Sequence, residues 1–386
     1  MKNTKKLHIK EVYKIKIAKI YGIEIKLHFS TLLIIALVGF YSATFYLSII
    51  PDAPLLELIL VGLFSGIILL ISILIHELSH SIVAQKYGLK VNEIELYLFG
   101  GVSKIEEEPR TPKSEMIISI VGPISSLLIG TILMVFIYLP IGLHPILFVT
   151  LFYSALSNFS LGFFNLIPAF PIDGGRVLRA FLWKRRDNLL SATKSASRVG
   201  TIIGYGIMAY GFIQILFSGI FSGIWLILIG NFLTSTARKA YYQTRNEVIL
   251  ANITVKEMLS IPNFAIPFNT TVDVALKDYF FKYKKSFFPV NQGYEVVGIV
   301  DIQDIKSIPN LQRPEIIVGY IMKKISEFPS IDENQSGKTA LNELNKINQG
   351  PLLLVVKDSE NFIGFLGKNE LLSSLEFWST HMANNK

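Results

Sequence analysis

From Leu58 to Ile75 the chain runs eighteen residues of apolar and small side chains without one charge, and then reads His76-Glu77-Leu78-Ser79-His80. A run of that length can cross a bilayer as a helix. Two imidazoles and a carboxylate therefore stand at the end of a membrane span, where ionisable groups are costly and usually face a polar cavity or a partner within the bundle. On a helix the two histidines are about 6 Å apart along the axis and about 40° apart around it, so both reach one cation. Glu77, about 100° round from His76, is badly placed as a third ligand on that face but well placed to take a proton from a water held there. That is the mechanical content of an H-E-x-x-H pattern. The competing reading, satisfied polar groups where a helix leaves the membrane, requires the triplet to arise by chance in a chain with six histidines.

The charge distribution divides the chain. Up to residue 245 there are 23 Lys+Arg against 13 Asp+Glu, and from 246 onward 14 against 16. The basic residues of the first part lie between apolar runs rather than along one helix or in an aromatic-interleaved patch, so membrane topology accounts for them and nucleic-acid binding is not expected. Cysteine is absent, which excludes disulfides and cysteine zinc sites. Any metal must be held by histidine and carboxylate.

Six membrane spans are expected: about Leu27 to Ile50, Leu55 to Ala84, Met116 to Leu139, Ile146 to Phe164, Val199 to Phe217 and Ile220 to Thr236. The first is too long an apolar run, without an evident cleavage site, for a signal peptide. Basic residues number eight before span one, five after span two, seven after span four and three after span six, and the alternate turns have none. The positive-inside rule puts those four segments, both termini and the C-terminal part in the cytosol of a multi-pass cell-membrane protein. His28 reads as an interfacial side chain and His144 as a loop residue. Between spans two and three, Ile94, Leu96 and Leu98 alternate with Glu93, Glu95 and Tyr97 before Phe99-Gly100-Gly101, a strand signature. Such a strand serves either as an edge for an extended substrate or as a plain surface hairpin.

Span four ends in Asn165-Leu166-Ile167-Pro168-Ala169-Phe170-Pro171-Ile172-Asp173-Gly174-Gly175-Arg176. Its prolines and glycines cannot continue the helix, and irregular backbone at membrane depth persists only where it is buried in protein or lines a wet cavity. Asp173 thus falls towards the same membrane face as His76 and His80. No other acidic residue is expected in or beside the apolar spans except Glu57, at the far end of span two. A turn or capping role for Asp173, or a pairing with Arg176, stays open beside a ligand role.

From 246 the chain repeats itself. Met258 and Met322 are 64 apart, Ala275 and Ala340 are 65 apart, and Gly298 and Gly364 are 66 apart. A near-constant offset implies two copies of one unit, about 246–311 and 312–386, each running from a short helix through a longer one to two strands. The fold class expected is an α-helical polytopic membrane protein over 1–245, with a small membrane-associated β element, followed by a cytosolic α/β tandem.

The H-E-x-x-H segment, Phe99-Gly100-Gly101, Gly122-Pro123 and the Asn165 to Arg176 segment resemble, in order, the site-2 protease family of intramembrane zinc metalloproteases. The resemblance implies a peptidase acting in the membrane on a membrane-spanning protein substrate. It also implies one zinc per chain with His76, His80 and Asp173 as ligands, Glu77 as catalytic acid and base, and Asn165 as a candidate oxyanion stabiliser. The C-terminal repeats resemble a pair of cystathionine-β-synthase (CBS) domains, which implies an adenine-nucleotide site or a structural, dimerising module. Gly298-Ile299-Val300-Asp301-Ile302-Gln303-Asp304 keeps the ribose-type Asp304 but puts Asp301 where that family tends to have a hydroxyl, and Glu370 takes the Asp place in the second copy. A membrane transporter or channel gated by the CBS pair is the alternative from another class. It needs polar residues along several spans, whereas the ionisable groups collect at one end.

Overall fold

The computed structural model describes residues 14–97, 100–105, 108–140, 142–218, 220–259, 264–347, 352–358 and 361–384. Phe99 and Leu98 of the expected strand segment lie outside them. The chain separates into two compact units, one ending at Tyr242 and one beginning at Gln243.

The first unit opens with a hairpin that the lysine content hides: β1 (Lys14–Ile20) pairs antiparallel with β2 (Ile23–His28). Its two turn residues, Tyr21 and Gly22, both have positive φ, the mirror-type turn whose twist suits a two-residue hairpin. β2 then pairs parallel with β3 (Val91–Tyr97), and β3 antiparallel with β4 (Gly100–Ile105), giving the order β1-β2-β3-β4. Lysines of the hairpin pair with acids of β3, Lys14 with Glu95 and Lys26 with Glu93. The basic segment before span one, read from the sequence only as a topology signal, thus supplies two of the four strands from Lys14 on.

In chain order the helices are α1 (Thr31–Ile49), α2 (Leu55–Lys86), which packs on the sheet, α3 (Pro112–Ile137), α4 (Pro145–Leu166), the short α5 (Asp173–Arg186), α6 (Leu189–Ser218) and α7 (Ile220–Asn252). Among the described residues five of them, α1 to α4 and α6, are long and apolar enough to cross a membrane, against the six expected. The sixth expected span falls on α7, whose apolar first half continues without a break into a polar half with Arg238, Lys239, Arg245 and Glu247. Start signals are local: Thr111 caps α3 through the Ser114 N–H with Pro112 at the first turn, and the His144 ring caps α4. His28 bonds Ser30 through Nδ1 and leans against Tyr97.

In the second unit the two copies have matching sheets. In the first, β5 (Ile266–Pro267) lies parallel to β6 (Phe287–Gln292), which pairs antiparallel with β7 (Glu295–Asp301). In the second, β9 (Ser330–Asp332) lies parallel to β10 (Leu353–Asp358), which pairs antiparallel with β11 (Asn361–Gly367); a two-residue strand β8 (Lys323–Lys324) joins the edge of β7. The short leading helices are exchanged. Val255 and Met258 of the first lie in the core with Ile331, Ala340 and Leu366, while Val318 of the second lies in the core with Ile266, Val290 and Val300. Neither copy completes its core alone, which is why the two repeats fold as a pair.

Helices α1 and α2 cross where Gly39 faces Gly62, so close that a Cβ on Gly62 would sit 3.0 Å from the Gly39 carbonyl oxygen. Small residues permit such backbone approach between membrane helices. We expect Gly62→Val to lower stability in detergent by about 1–3 kcal/mol, the usual cost of overpacking, while Gly206→Val, with no atom within 4 Å of its added Cβ, leaves the thermal unfolding midpoint nearly unchanged.

Candidate metal centre

Helix α2 delivers His76 and His80 to the inside of the first unit, where they are 3% and 5% exposed. Helix α3 orients them. The Nδ1 of His80 is 2.6 Å from the Ile118 carbonyl oxygen, which only accepts, so that nitrogen carries the proton and Nε2 keeps its lone pair. The Nδ1 of His76 bonds the Ser126 hydroxyl at 2.9 Å. Such hydrogen bonds fix ring orientation and make the opposite nitrogen a better ligand.

Both Nε2 atoms face one oxygen. Asp173 Oδ2 lies 3.2 Å from the Nε2 of His76 and 3.2 Å from the Nε2 of His80, and the three donor atoms fall within 4.8 Å of one another. Tetrahedral ligands at zinc bond lengths stand about 3.3 Å apart. Two imidazoles and a carboxylate are also a donor set suited to zinc, with a fourth position left over. When a proton on His80 Nε2 stands between the donors in place of a cation, burial pushes the Asp173 carboxyl up, but the charge of His80 and the hydrogen bonds of both rings outweigh it and hold the group well below the usual carboxylate range. It is an anion at neutral pH.

The backbone explains how a residue ninety-odd positions away arrives there. After α4 the chain is irregular from Ile167 to Ile172, as expected, but Asp173 then starts a helix instead of ending in a turn, with Gly174 and Gly175 in its first turn. A Cβ on Gly175 would lie 2.0 Å from the Phe170 nitrogen, and one on Gly174 2.3 Å from the Leu166 oxygen. The pair of glycines lets the new helix close against the loop that precedes it.

Two further glycines border the donors. A Cβ on Gly122 would lie 2.2 Å from the Nε2 of His80 and 2.7 Å from that of His76. One on Gly101 would lie 2.2 Å from the Cγ of Glu77. At both positions the bare backbone packs directly against these side chains, so any side chain there would displace a donor or the acid. Glu77 itself is half-buried and accepts a hydrogen bond from the Ser103 hydroxyl of β4 at 2.8 Å; Ser103 in turn accepts one from Ser81 at 3.1 Å. The small sheet thus holds the carboxylate beside the histidines.

The other residues singled out in the sequence have partners of their own. The Asn165 side chain donates to the Leu161 carbonyl of its own helix at 2.9 Å. Asp304 belongs to the second unit, where Lys323 Nζ reaches its two oxygens at 3.0 and 3.2 Å and the Asp301 N–H donates to it. Glu57 accepts from the Tyr46 hydroxyl at 2.6 Å.

Sequence reasoning missed one acid and its partner. Glu115, one residue before the expected start of span three, is fully buried in the first turn of α3. Arg179 of α5, itself 3% exposed, donates from Nε to Glu115 Oε1 at 2.6 Å and lies over the Phe170 ring, 4.8 Å from its centroid. This ion pair ties the helix that begins with Asp173 to the helix that orients the histidines.

Removing one partner of a buried pair typically costs about 3–5 kcal/mol, whereas replacing both by apolar side chains is often neutral. Arg179→Met should therefore strongly lower the unfolding midpoint, and Arg179→Met with Glu115→Leu should recover most of it. Gly122→Ala should leave the fold intact by circular dichroism yet reduce bound metal well below that of the unaltered chain, measured by elemental analysis.

The family model described as peptidase family M50 matches residues 64–147 and 142–210. A zinc metalloprotease of Methanocaldococcus jannaschii is 34% identical over 83% of this chain and 87% of its own. A solved site-2 protease from Methanocaldococcus jannaschii, 34% identical, covers 59% of this chain and 94% of that one at a TM-score of 0.41. The CBS domain of a bacterial CNNM/CorC family Mg2+ transporter, 18% identical, covers 39% of this chain and 93% of that one at a TM-score of 0.31. Identity sustained along 87% of a zinc metalloprotease, with the family model matching across the helices that carry the histidines, makes this chain a member of peptidase family M50, a membrane zinc metalloendopeptidase of the site-2 type.

Proposed function

We propose that this peptidase hydrolyses peptide bonds within membrane-spanning segments of other proteins, with His76, His80 and Asp173 holding its zinc and Glu77 moving the proton. The observation that carries the reading is the Asp173 oxygen at 3.2 Å from both imidazole nitrogens, brought there across more than ninety residues. When bound, zinc is a Lewis acid that makes water acidic enough to attack at neutral pH and draws charge from a carbonyl oxygen.

Glu77 takes the proton of the attacking water and returns it to the leaving amine. The Ser103 hydroxyl occupies one of its oxygens, which fixes the carboxylate plane, and the bare Gly101 packs against the Glu77 side chain. Asn165 stabilises the developing oxyanion after its amide releases the Leu161 carbonyl. A helical segment hides its peptide bonds, so the substrate unwinds locally before it is cut.

The positive-inside pattern supports an arrangement with both termini and the CBS pair in the cytosol and the donor cluster towards that face. The domain division we adopt is a membrane peptidase over 1–245 and a CBS pair over 246–386. An adenine nucleotide at that pair modulates the peptidase, with Asp304 exchanging its Lys323 partner for a ribose hydroxyl, and the pair also favours self-association.

The test is cleavage of a reconstituted single-span protein. Glu77→Gln should keep about one zinc per chain and lose at least about a hundredfold in rate, the usual scale for a general acid-base group; full activity in that variant removes Glu77 from the chemistry. Asp173→Asn should lose both metal and activity. Chelator should abolish cleavage, and added zinc should restore it.

A further inference from the structure

A cleft of about 220 Å³ lies between α6 and α7. Lys194, Ser197, Arg198 and Thr201 line it from α6, at the i, i+3, i+4 and i+7 spacing of one helix face. Arg238 and Tyr241 line it from α7. The helices are held together there by close backbone approach, since a Cβ on Gly204 would lie 2.3 Å from the Thr234 hydroxyl and 2.8 Å from the Gly230 oxygen.

The charge is of one sign. No carboxylate occurs between Asp187 and Glu247, and Lys194 and Arg198 have no ion pair among the described residues. Arg238 is fixed by the hydroxyl and ring of Tyr205. Ser197 is 5% exposed and its hydroxyl has no hydrogen-bond partner among the described residues. A buried hydroxyl left unmatched beside three cations is what an absent anionic group would satisfy.

Position names the source of that anion. The cleft sits where the apolar runs Val199 to Phe217 and Ile220 to Thr236 both end, at the level of lipid headgroups on either orientation of the chain. From Arg198 the same α6 face continues towards the bilayer through Ile202, 62% exposed, and Tyr205, 49% exposed, an apolar and aromatic wall for an acyl chain. With no carboxylate to receive an ammonium, the cleft disfavours zwitterionic headgroups. We infer that the cleft between α6 and α7 binds the phosphate of an anionic phospholipid, seated on Lys194, Arg198 and Arg238 with the Ser197 hydroxyl.

The measurement is native mass spectrometry of the full chain in mild detergent, offered phosphatidylglycerol and phosphatidylcholine of the same chain length. The unaltered protein should retain phosphatidylglycerol preferentially. Lys194→Gln with Arg198→Gln should weaken that retention by about fivefold per charge removed, the scale of one basic residue at an anionic surface, while Arg198→Lys should keep most of it. Should the double variant fail to fold, Lys194→Gln alone, an exposed position, gives the same comparison. Inorganic phosphate should not displace the lipid; displacement would assign the cleft to a free anion and overturn the proposal. Equal retention of both lipids by the unaltered protein, or undiminished retention of phosphatidylglycerol when Lys194→Gln is present alone or with Arg198→Gln, would overturn it too.

Discussion

Three electron-pair donors aimed at one point inside an apolar bundle is the constraint on which the rest of this molecule depends. Two imidazole nitrogens and a carboxylate oxygen at 3.2 Å lose hydration and gain nothing from lipid-like surroundings, so the arrangement is tolerable only with a shared cation or proton. Much of the surrounding structure keeps those donors pointed inward. Helix α3 takes the far nitrogen of each ring, through Ile118 and Ser126. The loop after α4 and the double glycine after Asp173 bring the carboxylate back. Gly122, lacking a Cβ, lets α3 pack directly against both rings.

The buried Arg179–Glu115 pair extends the same logic by one layer. Placing two charges out of water is costly, and such pairs are weak evidence of stability in themselves. Their geometry matters more here: Arg179 lies six residues beyond Asp173, under two turns of α5, and Glu115 lies three residues before Ile118 on α3. One ion pair therefore couples the helix that presents the carboxylate to the helix that sets the His80 tautomer. A site whose ligands come from helices distant in sequence needs such a coupling to hold ångström-scale geometry.

What the sequence made legible was whatever has a fixed period. The i, i+4 histidines, the apolar spans and the 64 to 66 residue offset of the C-terminal copies all follow from helix and repeat geometry, and Asp173 stood out as a carboxylate in a loop at the right face. The β1-β2 hairpin was hidden because its lysines were read as topology signals, although Lys14, Lys16 and Ile15, Ile17 alternate with a period of two. Its charges are spent on Glu93 and Glu95 of β3, a pairing that only the fold reveals. Glu115 was passed over because it sits one residue outside the apolar run, and its burial depends on an arginine 64 positions away. The glycines were visible as motifs, but their reason, the atoms a Cβ would strike, is a tertiary fact.

The exchanged helices of the second unit show the same limit, since Val255 and Val318 each complete the core of the other copy. The first unit's central claim is nonetheless narrow: Asp173 joins His76 and His80 around one ion. X-ray absorption at the zinc edge of the purified protein, compared with Asp173→Asn, tests it most directly. The account predicts nitrogen and oxygen ligands only, at about 2.0–2.2 Å, two of them imidazole, with the oxygen contribution altered or the metal lost in the variant. Bound zinc with an unchanged spectrum and undiminished occupancy in Asp173→Asn would contradict it.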